Sequence, residues 1–420
     1  MRKSAVVVGG GIGGLAAAIG LHRTGWEVTV TERAPVLADV GAGISLHANG
    51  LRALDALGVG AAVRAAARPE YTGGTRTPDG RWLARMDGAA LARAVGDPIH
   101  GITRADLHRL LREALPADRL RVDAEVTGVD RTDPARPRVL LDGEALEADL
   151  VVAADGVRSR LRSQLLPGHP GPVHSGSTIL RALTDGPLAL PTDFSLTWGR
   201  GVEFGHLALA DGRAEWFAVL GTAPGDRTGD GWDVRDSLPG GTGPRGSGRT
   251  EAPAVDGARD SWQADALAAL RERFAGWHDP IPALLDATRP DAVLRHDVHE
   301  LATPLPTFTA GRVALLGDAA HAMTTNLGQG ACQALEDAVV LAAALAAEPS
   351  VEAALTRYDA ERRPRSTGVA RAARQAGRMG HQLTHPLAVG LRNTAVRLTP
   401  APLMLRGLLR HADWTPPALA

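Results

Sequence analysis

The spacing of apolar residues divides the chain into a series of expected elements. Ala5-Val6-Val7-Val8 is an unbroken apolar run, the mark of a strand buried on both faces, and helical spacing follows over Ile12–Thr24. A second strand is expected over Trp26–Thr31, then a short helix over Leu51–Leu57 stopped by Gly58. Thr103 followed by Asp106 makes a capping-box-like start for a helix with Leu107, Leu110 and Leu111 on one face. Residues 119–148 read as a small antiparallel meander, with turns at Asp133-Pro134 and Asp142-Gly143, and Asp149–Ala154 as another buried strand. Longer alternating strands run from Ser177 to Leu220. A helix over Trp262–Trp277 and a strand over Asp291–Leu301 come next, then a buried strand over Val313–Leu316. The chain then enters a long apolar helix carrying Ala331, Leu335, Ala338 and Val339 at helical spacing. Beyond Leu341 the pattern stays helical, with a kink expected at Pro364.

Two segments depart from this pattern. Gly221–Asp260 is rich in Gly, Pro, Asp, Arg and Ser, too poor in apolar groups to offset its ordering entropy, and is expected to be mobile, as an inert insertion or a lid. Residues 386–410 mix Leu and Val with Arg; a helical element covering the domain junction is favoured over a membrane-surface helix.

The glycines carry the chemistry. Gly9, Gly11 and Gly14 stand in G-x-G-x-x-G spacing between the first strand and the first helix. There a tight turn lets a pyrophosphate approach the backbone and the helix N-terminus. Glu32, 18 residues past Gly14 and followed by Arg33, closes the second strand, where an acid accepts hydrogen bonds from adenosine ribose hydroxyls. This arrangement suits either NAD or FAD, since both contain ADP. A second constellation spans Arg312–Leu341: strand, Gly317-Asp318, the Gly328-Gln329-Gly330 turn, then the long helix. It aims backbone N–H groups and a positive helix end at one spot. Asp318 there is placed to bond a cofactor hydroxyl.

GDAAHAMTTNLGQG, residues 317–330, resembles the second FAD-binding motif of the single-component aromatic-hydroxylase flavoproteins, the p-hydroxybenzoate hydroxylase-like family. GAGISLHANG (41–50), with Gly43, is similar to the family's loop along the flavin, and AADGVRSRLR (153–162), with Asp155, to its middle motif. The resemblance implies FAD, with Asp318 on the ribityl chain and Gly328–Gly330 at the isoalloxazine edge. It also gives Arg104 an anionic partner in the cofactor, places Arg181 near the flavin, and makes NADPH or NADH the transient electron donor. One position departs: Thr325 stands where the family commonly has proline, leaving a hydroxyl and an amide donor near the reactive edge.

The implied fold is α/β: a Rossmann-type FAD-binding domain with a β-sheet substrate domain and C-terminal helices. The expected division is a discontinuous FAD-binding domain over 1–172 and 291–380, a substrate domain over 173–290 containing the 221–260 insertion, and a tail over 381–420. The implied activity is hydroxylation of a small aromatic or polycyclic substrate with O₂, through a flavin 4a-hydroperoxide. Two alternatives stand beside it: an FAD oxidase or dehydrogenase that inserts no oxygen, and a non-catalytic flavin-binding scaffold.

Aromatics are 4% of the chain, so the gathering of Phe194, Leu196, Trp198, Phe204 and Trp216 suggests the wall of an apolar substrate pocket, although core packing gives the same pattern. His206, His321, Thr325 and Arg181 are catalytic candidates without a firm role. No second ligand stands at metal spacing from His321, so no metal is expected. At 420 residues, 44% hydrophobic and a net charge of −1, the composition indicates a globular protein without a nucleic-acid footprint. The single cysteine, Cys332, fits a reducing cytoplasm and a buried packing role. No stable membrane insertion is expected, and the assembly is expected to be a monomer or homodimer.

Overall fold

The computed structural model describes residues 3–37, 42–221 and 256–419, with the side chains of the last segment described from Trp262. A six-stranded sheet runs in the order Thr309–Ala310, Val313–Leu315, Leu150–Ala153, Ser4–Val8, Glu27–Thr31, Leu120–Arg121. Ser4–Val8 pairs in parallel with Leu150–Ala153 on one side and Glu27–Thr31 on the other. Its Val6, Val7 and Val8 are buried because helices cover both faces of a parallel sheet. The helix Ile12–Arg23 packs against this sheet, and the 18-residue helix Gly330–Ala347 packs against that helix in turn. Gly20 permits the close crossing, since a Cβ there would meet Ala342 at 3.0 Å. Gly330–Ala347 is the one described helix long and apolar enough to span a membrane, and most of it is buried inside the protein.

The meander expected over 119–148 is a three-stranded antiparallel sheet, Gly128–Asp130, Arg138–Leu141 and Glu144–Glu147. A larger seven-stranded sheet has the order Leu294–Glu300, Val173–Leu183, Ala214–Gly221, Val202–Ala208, Phe194–Trp198, Thr72–Arg76, Trp82–Asp87. Strands Thr72–Arg76, Trp82–Asp87 and Leu294–Glu300, assigned from sequence to the FAD-binding part, pair into this sheet with the strands of 173–221, Trp82–Asp87 and Leu294–Glu300 as its two edges. Short strands carry no local mark of which sheet they join, since pairing is decided by distant partners.

Most helix ends fall within a few residues of expectation. The helix expected at Trp262 begins at Asp256, so the polar stretch expected to be mobile through Asp260 ends five residues early in regular structure. The rest of that stretch, 222–255, lies outside the described residues. Val351–Met379 continues as one helix through Pro364. The tail forms two further helices, Pro386–Leu398 and Ala401–Ala412.

A buried charge cluster joins these layers. Arg362 donates to Asp337 at 2.7 Å, to Glu336, and to the Gln333 side chain at 2.8 Å. Arg365 donates to both oxygens of Glu336 at 2.6 and 2.7 Å, and Asn49 reaches the same carboxylate at 2.7 Å. Asp337 in turn accepts from the Gly317 amide at 2.9 Å and contacts His321 Nε2 at 2.6 Å. Burial alone would raise the Asp337 pKa, but His321 and Arg362 hold it below the usual carboxylate range. Replacing Arg362 by Met is expected to lower unfolding free energy by about 3–5 kcal/mol, because buried carboxylates lose a partner rather than a pair being removed. Arg362→Lys should restore little of it, since an ammonium lacks the fork that reaches three acceptors. Urea unfolding of the flavin-free protein measures both.

Candidate cofactor and active site

Two helix N-termini lie side by side, a Cβ on Gly13 meeting Ala334 at 3.2 Å, and the open space before them is the candidate cofactor cleft. Ile12–Arg23 begins after Gly11, and Gly330–Ala347 begins after Gln329; neither has a side-chain cap or an acid in its first turn. Their leading N–H groups are therefore left for another acceptor. The glycines divide by what surrounds them. Gly9 has φ +107° and a Cβ there would strike Ala154 O at 2.3 Å, while one on Gly14 would strike Gly9 O at 1.9 Å. Gly11, Gly156 and Gly330, by contrast, face open space with no atom within 4 Å of a built Cβ. The first pair makes the turn and the second group leaves room for a ligand against the backbone.

Around that space the candidate residues fall into place. Glu32 ends Glu27–Thr31, its carboxylate accepting from the Gly10 amide at 2.8 Å and the Ala34 amide at 3.0 Å. Arg33 beside it is exposed. His108, missed in the sequence reading, braces the loop from below, with Nε2 2.7 Å from Gly10 O. Arg104 opens the helix capped by Thr103, which accepts from the Asp106 amide at 2.9 Å, and its guanidinium makes no ion pair among the described residues. Asp318 likewise makes no hydrogen bond among the described residues. Its carboxylate is reachable from the cleft although protein encloses it on other sides, and that enclosure raises its pKa against the pull of His321, Arg104 and Arg162. An unpartnered acid, a free arginine and two uncapped helix ends are the groups an extended dinucleotide cofactor needs, so the residues fit FAD.

Other candidates are committed to the protein itself. Asp155 accepts from the Leu161 amide at 3.1 Å and keeps its second oxygen without a partner, while Arg162 of the same motif is buried on the Ala319 and Val157 carbonyls. Gln329 is buried with its side chain on Asn49 at 2.9 Å, and Gly328 takes the left-handed conformation at φ +61° facing His47. Burial lowers the His47 pKa to about 4, with His411 adding to the effect. His321 is held by Asp337, so its visible role is positional. Thr325 is exposed at the start of the turn Thr325–Leu327, and Thr324 before it is extended (φ −65°, ψ 152°), the conformation that precedes a proline.

The seven-stranded sheet sorts the five aromatic-pocket candidates onto opposite faces. Phe194, Leu196 and Trp198 pair with Leu207, Gly205 and Glu203, and so share the face that also carries Phe217, Arg181 and Glu215. This face meets the flavin-loop strand Gly43–Leu46: Arg181 donates to Gly43 O at 2.7 Å and to Glu215 at 2.8 Å. Phe204, His206 and Trp216 point the other way. Phe204 and Trp216, stacked at 5.7 Å, are fully buried under Leu267, Leu270 and Phe274 of the helix Asp256–Phe274, and His206 is buried on the same face. The assignment of Phe204 and Trp216 to the pocket and of His206 to catalysis is therefore corrected: strand alternation puts them in the core. Phe217, one residue further along, lies on the cleft face.

Gly43 also serves the protein, since a Cβ would meet Glu215 Oε2 at 2.7 Å. Three buried acids went unnoticed in the sequence: Glu215 and Glu70 at this junction, and Glu203 on the same sheet face beside the C-terminal segment. Glu215 has its pKa raised by burial, opposed by Arg181. Glu203 is pushed up to about 7 by burial, opposed by the Trp198 hydrogen bond at 2.6 Å and by Arg392. Glu70, held by Ser45 at 3.0 Å and with one oxygen unpartnered, is pushed up to about 8 by burial, with Asp193 and Glu215 adding and Ser45 opposing.

The architecture and the cleft define a flavin-dependent aromatic hydroxylase. An FAD binding domain family model matches residues 2–188 and 296–373, and the chain belongs to this family of FAD-dependent monooxygenases. It is 36% identical over 98% of both chains to an aurachin C monooxygenase/isomerase of Stigmatella aurantiaca. It is 31% identical over 80% of both to a 6-hydroxynicotinate 3-monooxygenase of Bordetella bronchiseptica. Among solved structures it matches Klebsiella pneumoniae HpxO complexed with FAD and uric acid, with TM-score 0.83 and 26% identity over 98% of this chain and 96% of that one.

Two outcomes are expected. With Asp318 proposed as the acceptor of one charge-assisted hydrogen bond from the cofactor, worth about 1.5–3 kcal/mol, Asp318→Ala should raise the FAD dissociation constant by about 10- to 150-fold. Flavin fluorescence titration measures this, and unfolding should be little changed because Asp318 bonds nothing in the protein. For Glu70, the unfolded chain releases its proton near 4.5 while the folded chain keeps it to about 8. Stability is therefore lost as pH rises through that window. Glu70→Gln should remove this slope, so its stability advantage over the parent should widen between those values to on the order of 4 kcal/mol and then level off. Urea midpoints across pH report it.

Proposed function

We propose that this monooxygenase takes a small planar aromatic or fused-ring heteroaromatic substrate, held between the flavin site and the cleft face of the seven-stranded sheet, with NADH or NADPH as electron donor. The observation that carries this is the sorting of side chains on that sheet. Phe194, Leu196 and Phe217 offer apolar surface, while Trp198–Glu203 and Arg181–Glu215 put polar pairs beside it. Apolar walls bind the ring and keep water from the reacting centre, and a few fixed polar groups orient it. The names of the relatives, which include aurachin C, 6-hydroxynicotinate and urate, support an aromatic substrate with ring heteroatoms or oxygen substituents.

When bound, FAD supplies the redox chemistry, taking electrons from the reduced nicotinamide and activating O₂. The chain's part is to hold the cofactor through Asp318, Arg104 and the two helix ends. The positive end of Gly330–Ala347 also favours negative charge beside it. In this reading the FAD-binding part comprises the six-stranded sheet and its helices, and the seven-stranded sheet forms the substrate part.

The test is turnover of the FAD-loaded protein with hydroxylated monocyclic and fused heteroaromatic compounds. A substrate should accelerate NAD(P)H oxidation about tenfold or more, a drop in barrier of about 1.4 kcal/mol, and yield a product heavier by one oxygen. Phe217→Ala should then raise KM with flavin content unchanged, whereas Phe204→Leu should lower the unfolding midpoint and leave KM unaltered. Quantitative return of O₂ as hydrogen peroxide with a dehydrogenated product would instead assign an oxidase. Binding of FAD without turnover of any compound would assign a scaffold.

A further inference from the structure

From Arg362 to Ala412 the sequence contains ten arginines and not one Asp or Glu. Arg362, Arg363, Arg365 and Arg374 answer carboxylates elsewhere in the fold. Arg397, Arg406 and Arg410 do not: they are exposed on the two tail helices and make no ion pair among the described residues. The same two helices hold the four exposed leucines of the described residues, Leu387 at 78%, Leu391 at 76%, Leu398 at 75% and Leu403 at 53%. Leu387, Leu391 and Leu398 recur at i, i+4 and i+11, so they stand on one face of Pro386–Leu398.

That face is held outward by the contacts of the other one. Arg392 is buried, donating to Gly380 O at 2.8 Å and lying over the Trp198 ring at 5.0 Å. The segment leading into the helix is fixed as well, Arg200 donating to Thr384 O at 3.2 Å and the Gly201 amide to Leu383 O at 3.2 Å. The helix therefore cannot roll its leucines into the protein without breaking these bonds. An apolar stripe with cations beside it and no acidic residue on the same two helices is complementary to one kind of surface: acyl chains beneath negatively charged headgroups.

We propose that the tail helices Pro386–Leu398 and Ala401–Ala412 dock this enzyme peripherally on an anionic lipid bilayer, with Leu387, Leu391 and Leu398 entering the interface and Arg397, Arg406 and Arg410 facing the headgroups. Neither helix spans the bilayer. The docked helix stands one side-chain layer from Trp198 on the cleft face of the substrate sheet.

The experiment is co-sedimentation of the FAD-loaded full chain with large vesicles, of phosphatidylcholine alone or with about a third phosphatidylglycerol, at low and high salt. The parent is expected to partition onto the anionic vesicles about tenfold more strongly than onto neutral ones, with the preference reduced by salt. Leu387→Asp/Leu391→Asp should lose the binding to both, and Arg397→Glu/Arg406→Glu/Arg410→Glu should lose the anionic preference alone. Flavin content and NAD(P)H oxidation in vesicle-free buffer should match the parent in both variants, which separates loss of docking from loss of fold. Absence of vesicle binding by the parent, or equal binding with and without anionic lipid, overturns the proposal. So does a parent dimer, seen by light scattering, that becomes monomeric in the leucine variant without any vesicle binding. That result would give the face to a second copy of the chain.

Discussion

The paired carboxylates Glu336 and Asp337, buried with Arg362 between them, are the interaction on which the rest of the protein depends. They sit on the apolar helix Gly330–Ala347, whose first turn helps frame the cofactor cleft. Through Asp337 they fix the Gly317 amide and His321, and so the turn that presents Asp318. Through Glu336 they fix Asn49, and through Asn49 the Gln329 side chain at the glycine turn. Desolvating three charges is costly, and the cluster is stable because nearly every donor and acceptor in it is answered. Arg365 adds a second cation, so the two acids face two arginines.

Rigidity at this point has a functional consequence. Apart from Arg104, the groups proposed to meet the cofactor are backbone amides and the short Asp318 carboxylate, which have little freedom of their own to adjust. Their position is the position of the loops that carry them. A loop tied by charge-assisted bonds to a buried cluster keeps its N–H groups aimed without reorganisation, which is what electrostatic stabilisation of a developing charge requires. His108 plays the same part for the first glycine loop, through Gly10.

The junction between the cofactor cleft and the seven-stranded sheet follows another logic. Glu70 and Glu215 are buried there and Glu203 further along the same sheet face, and burial raises the pKa of all three. Only Glu215 has an arginine in hydrogen-bond contact, Arg181, which also grips the flavin-loop strand through Gly43. The meeting of the two sheets is thus a place where protonation and packing are coupled, close to where the substrate is proposed to lie.

By itself the sequence determined the elements whose signals are local. The run Ala5–Val8, the glycine spacing after it, the acid at Glu32, and the glycine turns around Asp318 all report backbone needs that neighbouring residues alone express. Resemblance of residues 41–50, 153–162 and 317–330 to a known family carried the cofactor and the reaction class. Tertiary structure decided what depends on distant partners. Only pairing register could separate Phe217 and Trp198, on the cleft face, from Phe204, His206 and Trp216 on the opposite, buried face, because alternation gives two faces without saying which is buried by what. Strands 72–76 and 294–300 join the seven-stranded sheet by hydrogen bonds to segments far along the chain. The cluster of Glu336, Asp337, Arg362 and Arg365 was invisible for the same reason: each residue alone looks like a charge on a helix, and only the packing of two helices shows that water has been excluded from all four sites but one edge.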